Sequence, residues 1–79
     1  MILKDFLKLI LEEEARIELE IDLKDANVYT YESFWLSDYR CDLGTAKYFN
    51  EYEVIGFRFS NNIGNKFNGS DIVIEMKER

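Results

Sequence analysis

Residues 2–14, ILKDFLKLILEEE, carry apolar side chains at Leu3, Phe6, Leu7, Ile10 and Leu11, with Lys4, Asp5, Lys8 and Glu12 off that stripe. This spacing predicts an amphipathic N-terminal helix. Ile2 and Leu9 widen the apolar face to about half the circumference, more than the roughly 100° a surface helix needs, so the helix is expected to be deeply buried or to meet a partner.

The next segment, RIELEIDL, alternates strictly. Ile17, Leu19, Ile21 and Leu23 point one way and Arg16, Glu18, Glu20 and Asp22 the other, as in a half-buried strand. Turn residues Lys24 to Asn27 lead to VYTYESF, whose β-branched and aromatic residues suit a second strand, completing a hairpin. Residues 36–52 show no clean period before Gly44; Thr45 then stands where it would cap a short helix running to Tyr52. EVIGFRFS alternates again, with Ile55, Phe57 and Phe59 on one face and Val54, Gly56 and Arg58 on the other. After the loop NNIGNKFNGS, DIVIEMK sets Ile72, Ile74 and Met76 inward and Val73, Glu75 and Lys77 outward.

These elements predict a single α+β domain over residues 1–79: a four-stranded antiparallel sheet covered by the N-terminal amphipathic helix, with a short second helix between two hairpins. Connectivity alone leaves open whether the first and fourth strands are neighbours. One domain follows from length, since 79 residues bury only one core. A composition of 47% hydrophobic and 33% charged residues, with six Phe, five Tyr and one Trp, favours an ordered fold.

Candidate chemistry narrows quickly. A single cysteine, Cys41, excludes an intramolecular disulfide, and with no histidine in the chain neither a zinc site nor a Cys-His or Ser-His pair can be assembled. Cys41 itself reads as a small buried hydrophobe. GNKFNGS lacks the Lys-Ser/Thr pair of a phosphate loop, and the Asp22, Asp25, Asn27 series lacks the sixth-position glycine and twelfth-position glutamate of a calcium loop. Asp38 and Asp42 flank Cys41 without other convergent groups. No cofactor or metal is expected, and the chain does not read as an enzyme. No apolar run approaches the roughly 20 residues of a membrane span, and no secretory leader is evident, so a cytoplasmic location and no membrane partner are expected.

Charge changes the picture more than any motif. The chain has sixteen acids and ten bases, net −6, and residues 12–32 carry that whole excess, with eight acids against Arg16 and Lys24. Glu18, Glu20 and Asp22 would stand in a row about 6.6–7 Å apart on one strand face, and Glu12, Glu13 and Glu14 would extend it. That spacing is close to the spacing of phosphates along a nucleic-acid strand; it suits a basic protein partner and disfavours direct nucleic-acid binding. The same row also fits a solvated sheet face that keeps the protein soluble and discourages edge pairing. Tyr29, Tyr31 and Trp35 are candidate aromatic anchors, although Phe34 and Trp35 also suit completion of the core and Tyr29 and Tyr31 are equally suited to core or interface. Ile63 and Phe67 on the NNIGNKFNGS loop are expected to fold back over the end of the core.

The opening LKDFLKLI, the alternating IELEID, the YEVIGFRF segment and the closing DIVIEM together resemble small acidic α/β proteins carried by phages and mobile elements of low-GC Gram-positive bacteria, among them several anti-CRISPR proteins. The resemblance is one of layout over most of the chain, with no motif that carries over a residue set. It implies a protein of the host cytoplasm that inhibits a bacterial defence enzyme by binding, often with acidic side chains imitating DNA phosphates. The expected function is therefore a non-enzymatic inhibitor docking Glu12, Glu13, Glu14, Glu18, Glu20 and Asp22 on the basic nucleic-acid-binding groove of a defence effector such as a type II CRISPR effector, anchored by Tyr29, Tyr31 or Trp35. The alternative is a small phage accessory or assembly protein that forms a homodimer through the wide helix face around Ile2, Phe6 and Leu9.

Overall fold

The computed structural model describes residues 1–59 and 70–79, with Glu32 described in its backbone alone. The Ile63 and Phe67 loop expectation lies outside the described residues. The element order is α1 (Leu3–Lys8), β1 (Arg16–Asp22), β2 (Val28–Trp35), α2 (Leu36–Arg40), a 3-10 helix (Ala46–Phe49), β3 (Glu53–Phe59) and β4 (Ile72–Lys77).

The α+β class is as expected, but the sheet is mixed and not antiparallel throughout. Its order is β2-β1-β4-β3. β1 pairs antiparallel with β2 and β4 antiparallel with β3, while the two central strands run parallel in register from Ile17↔Ile72 to Asp22↔Lys77. Ile2 adds one antiparallel bridge to Glu53, a rudimentary fifth strand at the β3 edge. The parallel centre follows from the connection between the hairpins. β2 and β3 point the same way, so residues 36–52 must carry the chain back along the sheet, and a return of more than a dozen residues with helical turns supplies this crossover.

The expected long covering helix is also corrected. α1 ends at Lys8, so Ile10 and Leu11 leave the helix and no single helix covers the sheet. Glu12, Glu13 and Glu14 would have placed three negative charges at the negative end of the helix macrodipole, which opposes its continuation. The cover is instead shared by three short pieces, each finding partners for its end groups in another segment. Leu3 and Lys4 N–H groups at the start of α1 donate to the Tyr52 and Asn50 carbonyls at 2.9 and 3.0 Å. At the start of α2, Leu36 and Ser37 N–H donate to Ala15 and Glu13 carbonyls, both at 3.0 Å. The Arg40 guanidinium closes the circuit by donating to the carbonyls of Leu7 and Ile10. α2 was not foreseen, and the helix expected from Thr45 to Tyr52 is a 3-10 helix over Ala46–Phe49 whose Thr45 side chain makes no cap bond.

The core forms where α1, α2 and the loop before β1 meet the sheet. Leu3, Leu7, Ala15 and Leu36 pack with Ile17, Leu19, Ile21, Ile74 and Met76, all buried. Tyr31, Phe34, Phe49 and Tyr52 extend this core toward β2 through edge-to-face contacts at 5.2–5.8 Å. Cys41 corrects another expectation: it is exposed, at the end of α2 just before the positive-φ residue Asp42.

Two β-bulges reassign side chains. In β3, Val54↔Met76 is followed by Gly56↔Glu75, so Ile55 is an extra residue. Val54 therefore packs on the core while Ile55 is exposed, the reverse of simple alternation. In β2, Ile17↔Phe34 and Leu19↔Tyr31 place residues 32 and 33 opposite Glu18, which turns Phe34 toward the core with Tyr29 and Tyr31 and sends Trp35 to the opposite face.

The β1–β2 turn carries Ala26 at φ 70°, with Leu23 N–H donating to the Asn27 carbonyl at 2.8 Å. A left-handed alanine is strained by its Cβ, so Ala26→Gly should stabilise the fold by about 0.5–1 kcal/mol despite the greater freedom glycine has when unfolded. Urea denaturation of the two proteins would measure this, and an unchanged or lowered midpoint contradicts it.

Candidate protein-binding face

Every helical piece lies on the core side of the sheet, so among the described residues no element packs over the other side. This open face is built from alternate residues of four strands. β1 contributes Arg16, Glu18, Glu20 and Asp22, and β2 contributes Val28, Thr30, Ser33 and Trp35. β4 supplies Val73, Glu75 and Lys77, flanked by Gly56 and Arg58 of β3.

The glutamates of the row are not free-standing. Arg58 reaches from the edge strand across β4 to Glu20 on β1, donating through Nη2 to Oε1 at 2.6 Å and through Nη1 to Oε2 at 3.3 Å, and Nη1 also meets Glu75 at 3.2 Å. The forked geometry matches a guanidinium to a carboxylate. The hydrogen bond to Glu20, then the charges of Glu20, Glu75 and Glu18, raise the Arg58 pKa further above its already high value. Glu18 is held differently. Ser70, buried, donates to Glu18 Oε1 at 3.3 Å and its hydroxyl accepts from Ser33 at 2.7 Å, linking β2 to β1. Asp22 is exposed and lies in register with Lys77. Val73, between Glu18 and Arg58 in the register, is the buried apolar centre of this face.

The expected site residues separate into three groups. Glu18, Glu20, Asp22 and Trp35 share the open face. Trp35 is 43% exposed and lies under the Arg16 guanidinium, 5.0 Å from its ring centroid, a cation–π contact at the β1 end of the row. Tyr29 and Tyr31 stand opposite Ile21 and Leu19 on the core side, in contact with Phe49, so they do not share a surface with the acidic row. Glu12, Glu13 and Glu14 sit in the exposed loop before β1; Glu13 pairs with Arg40 of α2 at 3.3 Å, and Glu12 accepts from the Glu14 N–H at 3.1 Å. Along the strand face the next residue before Glu18 is the cation Arg16, so the acidic row proper is Glu18, Glu20 and Asp22, joined sideways by Glu75.

Arg58, Glu75, Ser33 and Ser70 were not picked out from sequence. Arg58 and Glu75 each stood on an outward strand face, but only the order β1-β4-β3 brings them to Glu20. Among the described residues no group of three or more His, Cys, Asp or Glu side chains comes together for a metal ion, and no helix is long and apolar enough to cross a membrane. Compared with protein-family models, curated proteins and solved structures, the chain gives no match.

Ser70 is the most deeply placed polar group of this face. Ser70→Ala removes both its hydrogen bonds and should destabilise the protein by about 1 kcal/mol, read as a lowered urea midpoint with unchanged slope. An unchanged midpoint would remove the Ser33–Ser70–Glu18 chain from the account.

Proposed function

We propose that this protein is a non-enzymatic binding protein whose open sheet face docks on a basic surface of a protein partner, and that the partner is a nucleic-acid-binding groove of a bacterial defence effector. The observation that carries the binding reading is the carboxylate set Glu18, Glu20, Asp22 and Glu75 on a sheet face that no described element covers, with Trp35 exposed beside it. Carboxylates from adjacent strands present negative charge in two dimensions, suited to a groove lined by lysine and arginine. The choice of a defence effector rests on the resemblance in layout alone.

Arg58 gives this reading a signed test. If the carboxylates contact a basic partner, Arg58→Ala frees Glu20 and Glu75 and tightens binding, whereas Glu18→Lys with Asp22→Lys weakens it at least tenfold while leaving the Arg58–Glu20 contact in place. Biolayer interferometry against a guide-loaded type II CRISPR effector, with and without target DNA and at two salt concentrations, would measure both. Salt-sensitive binding that DNA competes away is expected. Absence of binding removes that effector, and equal affinity for all three proteins removes the acidic face.

A second reading is favoured by a separate observation. Phe57 and Phe59, 54% and 69% exposed, lie on the core side of β3 in edge-to-face contact at 5.9 Å, and Phe57 touches Phe6 of α1 at 5.3 Å. The helix face expected to pair with a second copy is thus partly used, Ile2 bridging to Glu53 and Phe6 meeting Phe57, while the phenylalanines continue its apolar surface outward. Under this reading the protein is a homodimer that buries Phe57 and Phe59, as an accessory or assembly protein would be. Light scattering on a size-exclusion column should then show a dimer at micromolar concentration that Phe59→Asp converts to monomer; a monomer at all concentrations eliminates it.

A further inference from the structure

Four of the ten basic residues of this acidic chain converge on one concavity on the far side of the molecule from the acidic row. Lys4 and Lys8 of α1, Arg40 of α2 and Lys47 of the 3-10 helix line a cleft of about 260 Å³, whose wall also includes Tyr39 and Asn50. Asp42 is the one acid in the lining, while Asp5 and Glu13 pair with Lys8 and Arg40 from just outside it, so that Lys4 alone of the four cations has no carboxylate partner among the described residues.

The cations differ in how firmly they are held. Arg40 is fixed, bonded to carbonyl oxygens of Leu7 and Ile10 and to Glu13, and serves as the rigid wall. Lys47 approaches Asp42 only at 3.9 Å and Lys8 approaches Asp5 only at 4.0 Å, both among exposed side chains, and such contacts contribute little against a competing anion. Lys4 has no ion-pair partner among the described residues. Tyr39 donates its hydroxyl to Asn50 Oδ1, and burial, then the charge of Asp42, raise its pKa, so the phenol remains a neutral donor in the wall.

We propose that this cleft binds the phosphoryl group of a small phosphate monoester. A carboxylate offers two oxygens in one plane, whereas a phosphoryl group presents three terminal oxygens that can meet the ammonium groups of α1 and of the 3-10 helix at once. The volume of about 260 Å³ fits a phosphoryl group with a small substituent against Tyr39, just below the usual range of ligand cavities. This site is independent of the open sheet face, so its test does not depend on whether that face binds a partner.

The test is a ¹⁵N NMR titration of the full chain in phosphate-free buffer, with inorganic phosphate and phenyl phosphate added separately and ionic strength matched with sodium chloride. Saturable shifts centred on the amides of Lys4, Lys8, Arg40 and Lys47, at millimolar concentration or below, are expected. Tighter binding of phenyl phosphate assigns the site to a monoester. Equal or tighter binding of inorganic phosphate overturns the monoester assignment in favour of free phosphate. Lys4→Gln with Lys47→Gln should weaken binding at least tenfold without altering the remaining spectrum, and Lys4→Arg with Lys47→Arg should restore it. Shifts that sodium chloride alone reproduces, that rise linearly without saturating, or that persist in the folded glutamine variant overturn the proposal.

Discussion

The parallel pairing of β1 with β4 is the constraint on which the rest of the molecule depends. Parallel neighbours cannot be joined by a tight turn, so β2 has to be followed by a return along the sheet before β3 can begin. That return, residues 36–52, is the material that covers the core, supplying Leu36, Phe49 and Tyr52. Topology and burial are therefore solved by one segment. It also explains why a six-residue α1 suffices: Leu3 and Leu7 fill one end of the core, and the crossover fills the remainder.

The same arrangement sorts charge. With all helical pieces on one side, the polar residues of β1 and β4 gather on the other, while lysines on the outer turns of α1 and the 3-10 helix meet around a cleft. Four carboxylates gather on the open sheet face and four cations around the cleft on the helical side, an arrangement that composition does not report. Within the acidic side Arg58 limits self-repulsion by spanning Glu20 and Glu75.

Aromatic residues show how far linear pattern reaches. Tyr29, Tyr31, Phe34 and Trp35 read as one cluster along the chain, yet the β2 bulge divides them, three toward the core and Trp35 toward the open face. In β3 a second bulge exchanges the places of Val54 and Ile55. Gly56, an isolated glycine next to the extra residue Ile55, is a compositional mark of the β3 bulge, whereas β2 carries none and its bulge is placed by how the neighbouring strand's side chains fit.

The sequence by itself determined the α+β class, four strands close to their observed limits, both hairpin pairings, and the face of every residue in β1 and β4, because a period of two between buried and solvated sides is written directly in the order of residues. It also located the carboxylates of the row, since three of them alternate on one strand. Tertiary structure alone decided that β1 and β4 lie parallel, that α1 stops at Lys8, that Arg58 and Glu75 reach Glu20, and that Lys4, Lys8, Arg40 and Lys47 surround a cleft. Those outcomes join residues far apart in the chain. They depend on which strands become neighbours and how the crossover lies, and no local period records either.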